Sequence, residues 1–249
     1  MKSNRTALKS GVRSSETTPG SASESTGRAV HSPSRRTSGA SSGELFFPRF
    51  ACRIGFKLYF ASCRVLGVEN LPSPETPFIL AINHRSILDP GLIWSYFPEP
   101  VYFLYREDFG GFDRFPLLGW AVRKMQQVPI VRGEGDVKGV KIAIRYLREE
   151  RRNLAIFIEG SRGEGDGMQP GKDGCALIAG RAGAPVVPAY LDGLGMAFPR
   201  GSMVPTYTRD LTIRIGKPIQ IARGDHEERR EVLRGETQRI VQAIEALAP

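Results

Sequence analysis

The stretch Pro77-Phe78-Ile79-Leu80-Ala81-Ile82-Asn83-His84-Arg85-Ser86-Ile87-Leu88-Asp89-Pro90 decides the fold class. Its first half is a short apolar run that reads as a strand over Phe78–Ile82. Its second half turns: Pro90 suits the first position of a helix, which makes Asp89 the N-cap and leaves His84 on the loop leading in. Outward from here, strand-like runs at Val101–Tyr105, Val128–Val131, Leu154–Ile158, Pro185–Tyr190 and Leu211–Ile215 alternate with helical patterns near 90–97, 116–125, 136–151, 174–183 and 226–247. That alternation predicts an α/β fold, a mostly parallel central sheet flanked by helices.

Composition bounds the rest. The chain has 249 residues, 41% of them hydrophobic, and a formal net charge of +9, which suits one α/β domain with a real core. The longest run without Asp, Glu, Lys or Arg is Ala182–Leu191, half of the roughly 20 apolar residues that a bilayer span needs, so a conventional transmembrane protein is excluded. Three cysteines, Cys52, Cys63 and Cys175, and three histidines, His31, His84 and His226, are scattered. Neither a disulfide framework nor a metal cluster is expected, and no metal ligands are assigned.

Residues 1–43 hold twelve Ser and five Thr, with seven basic against two acidic residues. Such a segment cannot bury enough surface to offset its ordering entropy and is expected to be a disordered tail. Its Arg- and Ser-rich character resembles an organelle transit peptide, without a clear amphipathic helix; a solvated tail is the other reading. Residues 44–66 are expected to form an amphipathic helix, with Pro48 in its first turn. Arg49, Arg53, Lys57 and Arg64 fall in one stripe of about 80° on it, leaving a broad apolar face. A basic, aromatic helix of this kind suits a membrane interface, and a surface helix packed on the core is the alternative. Residues 67–249 form the globular domain.

His84, just beyond a strand end, is a candidate general base, because an imidazole titrates near neutrality and ligands gather at strand ends of α/β sheets. A carboxylate folding back from Asp89 would fix its tautomer and stabilise the imidazolium; the plain alternative is a helix cap beside an unrelated histidine. A second constellation, Phe157-Ile158-Glu159-Gly160-Ser161-Arg162, follows another apolar strand. Its glycines let backbone amides approach an anion, and Arg162 can grip a phosphate in bidentate fashion. Otherwise Glu159 and Arg162 simply pair with each other. Val128-Pro129-Ile130-Val131-Arg132 delivers a further arginine.

Together these pieces resemble the glycerolipid acyltransferase family, best known for 1-acyl-glycerol-3-phosphate acyltransferases. Asn83, His84, Asp89 and Pro90 match its catalytic block, FIEGSR its phosphate block, PLLGWAVRKMQQVPIVR the block between them, and Val187-Pro188-Ala189 a late valine-proline block. Lys172 and Gly174 look like the basic turn and helix that follow the phosphate block. Ile158 stands where the family usually has proline, and Ser161 where it usually has threonine.

The resemblance implies an enzyme with no bound cofactor. It would move a fatty acyl group from acyl-CoA or acyl carrier protein to the free hydroxyl of 1-acyl-glycerol-3-phosphate, giving phosphatidic acid. His84 would be the base and Asp89 its partner. Asn83, Arg132, Glu159, Gly160, Ser161, Arg162 and Lys172 would bind substrate, Glu159 either by touching the glycerol or by ordering the loop, and local backbone amides would stabilise the oxyanion. The expected partners are a lysophospholipid acceptor, the acyl thioester and a phospholipid membrane surface, giving a peripheral location on the cytoplasmic face of a membrane.

Rival readings remain. One is an acyltransferase on another lysolipid or an ornithine-type acceptor. Another is a thioester hydrolase, for which a G-x-S-x-G elbow is missing. A third is a non-catalytic protein binding membrane surfaces or nucleic acid; the basic tail contains no aromatic side chains for stacking on bases, so no nucleic-acid partner is expected.

Overall fold

The computed structural model describes residues 42–60, 62–106, 127–130, 137–163, 167–197, 206, 210–222 and 229–249. A helix, α1 (Ser42–Tyr59), leads into an edge strand, β1 (Ser62–Leu66). There follow β2 (Ile79–Ile82), α2 (Asp89–Tyr96), β3 (Val101–Arg106), β4 (Gln127–Ile130) and α3 (Val137–Arg148). The chain continues through β5 (Asn153–Phe157), α4 (Gly174–Ala182), β6 (Val186–Asp192), the one-turn α5 (Leu194–Ala197), β7 (Asp210–Ile215) and α6 (Arg229–Glu245). The expected tail up to residue 41 and the expected helix near 116–125 lie outside the described residues.

The sheet is α/β and mostly parallel, as the alternation predicts. Its strands lie in the order β1-β7-β6-β2-β5-β3-β4. The run from β6 to β4 is parallel at every pairing, whereas β7 pairs antiparallel with β6 and parallel with β1. Strand β2 is central and buried at every position. Because successive side chains on a strand point to opposite faces, it feeds two cores. Leu80 and Ile82 pack with Leu92, Ile93, Trp94 and Phe97 of the α2 region. Ile79 and Ala81 pack with Ala143 and Leu147 of α3, Cys175, Ala176 and Ala179 of α4, and Ile240, Val241 and Ile244 of α6. This sandwich explains why β2 reads as continuous apolar sequence rather than an alternation.

The segment 44–66 differs from expectation. The helix ends at Tyr59, and Ser62–Leu66 pairs in parallel with β7. Cys63 and Val65 turn toward the core while Arg64 and Leu66 face outward. This period-2 signal is five residues long and sits directly behind an aromatic helical run, and Arg64 falls in the helical basic stripe only by coincidence of phase.

The basic stripe of α1 is partly engaged with α2, although Arg53 and Lys57 stay exposed. The half-buried Arg49 guanidinium donates to the Phe97 carbonyl at the end of α2, and Arg53 lies over the Tyr96 ring, 5.0 Å from its centroid. Phe56 stacks on Phe60 and meets Tyr96 edge-on. The face left outside carries Phe50, Ile54 and Leu58, exposed by 49%, 42% and 81%. Among the described residues no helix is long and apolar enough to cross a membrane.

Candidate active site

Parallel, in-register pairing of β2 with β5 sets Ile82 opposite Phe157, so the loops following these two strands emerge side by side. They are cross-tied. The His84 N–H donates to Glu159 Oε1 at 2.7 Å, and the Gly163 N–H donates to the His84 carbonyl at 2.9 Å. The histidine and the glycine-rich loop are therefore one rigid unit.

Asp89 folds back onto His84. Its Oδ2 accepts the Nδ1 hydrogen of the imidazole at 2.9 Å, the Arg85 N–H at 2.7 Å and the Ser86 N–H at 2.8 Å. An ionised carboxylate only accepts, so the imidazole carries its proton on Nδ1 and presents Nε2 as the bare nitrogen. Asp89 is fully buried while the His84 side chain is 18% exposed: the orienting group is sealed and the base is reachable. The carboxylate folds back as expected, but Asp89 does not occupy the expected N-cap position. Leu88 flanks the helix without a side-chain cap and Asp89 is its first residue, because the carboxylate is drawn upstream to the imidazole and two loop amides. Asp89 Oδ1 is buried with no hydrogen-bond partner.

The imidazole also lies on the Phe157 ring, with centroids 4.1 Å apart and planes at 23°. A phenyl face favours a cation above it, so this contact stabilises the imidazolium as well as fixing the ring. Phe157 was not singled out in the sequence. Its signal is positional: it is the last residue of the strand paired in register with the one that delivers His84.

Two residues expected to bind substrate instead hold the site together. Asn83 is completely buried; its Nδ2–H donates to the Leu191 carbonyl at 3.0 Å and its Oδ1 accepts the Leu191 N–H at 2.7 Å. Buried and bonded to β6 through both its amide nitrogen and its amide oxygen, it extends the β2–β6 pairing by a step. Glu159 is 1% exposed, and its Oε2 accepts the Gln169 N–H at 2.7 Å. Its carboxylate straps the histidine loop to both ends of the glycine-rich loop. Among the described residues it makes no ion pair with Arg162.

The remaining expected residues lie at the surface of that loop. Gly160 and Ser161 are exposed and Arg162 is half-buried. Gly160 has φ +69°, a left-handed conformation that glycine adopts without strain. The Lys172 side chain crosses directly over it: a Cβ at Gly160 would come within 2.8 Å of Lys172 Cδ, Cε and Nζ. The Gly160 N–H is taken by the Phe157 carbonyl at 2.9 Å, so what the turn offers an anion such as phosphate is the charge of Arg162 and Lys172 rather than this amide. Arg132 lies outside the described residues. No group of His, Cys, Asp and Glu suited to hold a metal occurs among the described residues.

The family model described as Acyltransferase matches residues 62–192. The chloroplastic 1-acyl-sn-glycerol-3-phosphate acyltransferase BAT2 of Brassica napus is 32% identical over 168 residues, covering 67% of this chain and 47% of that protein. The lyso-ornithine lipid O-acyltransferase of Pseudomonas aeruginosa is 30% identical over 121 residues, 47% of this chain and 45% of that one. The chain spans about half the length of the curated relatives it matches. Among solved structures, the 1-acyl-sn-glycerophosphate acyltransferase PlsC of Thermotoga maritima shares the fold, with a TM-score of 0.62 at 24% identity over 82% of this chain and 79% of that one.

Proposed function

The chain belongs to the acyltransferase family, and from that premise we propose that it transfers a fatty acyl group from a thioester donor to the free hydroxyl of 1-acyl-glycerol-3-phosphate, forming phosphatidic acid. The observation that carries this reading is the His84–Asp89 pair locked by two backbone bonds to a glycine-rich loop flanked by Arg162 and Lys172. His84 Nε2 takes the proton of the acceptor hydroxyl as its oxygen attacks the thioester carbonyl. Asp89 and the Phe157 ring stabilise the imidazolium. As the carbon–sulfur bond breaks, the imidazolium returns the proton to the leaving thiolate, and no enzyme nucleophile is needed. Arg162 and Lys172 hold the acceptor phosphate, which converts a bimolecular encounter into a positioned attack.

The test is phosphatidic acid formation from labelled acyl-CoA, or acyl carrier protein, and lysophosphatidate by purified protein. His84→Ala, folded by circular dichroism, is expected to lose turnover by about 10²–10⁴, the usual contribution of a general base. Turnover within a few-fold of the parent would remove His84 from the mechanism. The similarity to a lyso-ornithine lipid acyltransferase favours one second reading, the same chemistry on an ornithine-type acceptor. Profiling lysophosphatidate against a lyso-ornithine lipid in the same assay separates the two.

The apolar stripe Phe50, Ile54 and Leu58 supports a peripheral membrane location, with α1 lying in the interface by this face. Replacing all three with Ser should abolish co-sedimentation with anionic vesicles, yet leave activity on a short-chain soluble acceptor. Unchanged sedimentation would overturn this placement.

A further inference from the structure

The turn that presents Lys172 is fastened to the last helix of the chain, beyond the end of the family match at residue 192. The Lys172 N–H donates to the Ile158 carbonyl at 2.9 Å, and its side chain crosses Gly160. Both neighbours of Lys172 are anchored on α6. On one side, Gly171 rests against the helix so closely that a Cβ there would lie 2.7 Å from Val241 Cγ2 and 2.9 Å from Thr237 Cγ2. On the other, the Thr237 hydroxyl donates to Asp173 Oδ1 at 2.9 Å. Thr237 is buried whereas Asp173 is exposed. Water would satisfy Asp173 equally well, so this hydrogen bond has its consequence in the position of the turn rather than in solvating the carboxylate.

We propose that Thr237 is a positioning residue for the acceptor phosphate: with Gly171 pressed on the same helix, it fixes the Gly171–Asp173 turn so that the Lys172 ammonium stays over Gly160. The proposal rests on the reading of Lys172 as a phosphate ligand. A lysine stem has several rotatable bonds, so its charge is useful in one place only when its backbone and the surface beneath it are both fixed. A C-terminal helix otherwise read as packing alone thereby acts on substrate affinity.

The experiment measures kcat and apparent KM for lysophosphatidate and for the acyl donor in full-length Thr237→Val, Thr237→Ser, Asp173→Ala and Lys172→Ala. Thr237→Val is expected to raise the acceptor KM about threefold to tenfold, the range of one ordinary hydrogen bond, leaving kcat and donor KM within about twofold of the parent. Thr237→Ser should restore it. Asp173→Ala, altered at an exposed position, should reproduce the Val effect even if Thr237→Val fails to fold. Added to Lys172→Ala, Thr237→Val should cost nothing more in acceptor KM. A raised acceptor KM in Lys172→Ala with parental values in both Thr237→Val and Asp173→Ala would overturn the positioning role alone. An unaltered KM in Lys172→Ala would instead remove the phosphate reading beneath it.

Discussion

The substitution Asp89→Asn separates geometry from charge in the dyad. The amide keeps the shape of the carboxylate but holds one oxygen and one NH₂. Two main-chain N–H groups, from Arg85 at 2.7 Å and Ser86 at 2.8 Å, converge on the Oδ2 position. The amide oxygen must take that place, which sends the NH₂ to the position of Oδ1, buried and without a partner. The parent already buries an unpaired oxygen at that place, so the cost comes from the two N–H groups exchanging a charged acceptor for a neutral one, about 1–3 kcal/mol, which lowers Tm by about 2–12 °C in a chain of this length. The Nδ1 hydrogen of His84 still meets an oxygen, so the tautomer survives and only the negative charge is lost. A unit charge pair at 2.9 Å is worth about 6 kcal/mol at an effective dielectric of about 20, and the amide dipole returns part of it. The expected loss in kcat is therefore about 10²–10⁴, with the acceptor KM changed less than about threefold because the transition state alone carries the imidazolium. Steady-state turnover of labelled acyl donor and scanning fluorimetry read the two quantities. A kcat within tenfold of the parent would refute the use of the Asp89 charge in catalysis, and an unshifted Tm would refute its hold on the two loop amides.

Glu159→Gln leaves one of two backbone donors, His84 N–H or Gln169 N–H, facing an NH₂; a loss of about 1–3 kcal/mol in denaturant unfolding is expected, and unchanged stability would contradict the strap. Burial pushes the Cys175 and Cys63 thiols up to about 12, so at pH 8 the thiolate fraction is about 10⁻⁴ and iodoacetamide should label them about 10³-fold more slowly in the native protein than in guanidinium; equal rates would show the thiols to be accessible. Because the folded values lie above those of free thiols, each buried thiol contributes stability that is present below pH about 9 and lost as pH climbs toward about 12. The alkaline fall in Tm should therefore be shallower in Cys175→Ala, and a parental slope would exclude Cys175 as a source.

The sequence displays the site more clearly than it displays the supports around it. The turn between His84 and Asp89 is legible because five residues on an ideal helix would point the two side chains apart by about 140°, and Pro90 supplies the break. The central strand is legible because burial on both faces leaves it no polar position. β1 is hidden because a five-residue half-buried strand has two inward positions, Cys63 and Val65, too few to establish a period. The reversal of β7 depends on which neighbour it meets, and nothing local in Asp210–Ile215 records that. Asn83 and Glu159 show the same limit. A polar residue beside a catalytic motif looks the same in sequence whether it faces a substrate or a backbone; only the pairing of β2 with β6 and β5 gives them Leu191, His84 and Gln169 as partners.

How Glu159 is satisfied bears directly on what the loop can bind. A buried carboxylate is costly unless it is paired and hydrogen-bonded, and the nearest cation in sequence is Arg162. Had Glu159 taken that guanidinium, Arg162 would have been unavailable to a ligand. Instead both carboxylate oxygens are met by main-chain N–H groups, one from each flank of the site. These are charge-assisted bonds that stabilise the carboxylate without drawing on Arg162. Asp89 follows the same logic, taking two amides besides the imidazole. Among the described residues the two buried acids of the site are thus held by backbone, and Arg162 and Lys172 remain at the surface for a ligand. The backbone bonds that make the loop rigid are also the ones that keep Arg162 out of a pair with Glu159.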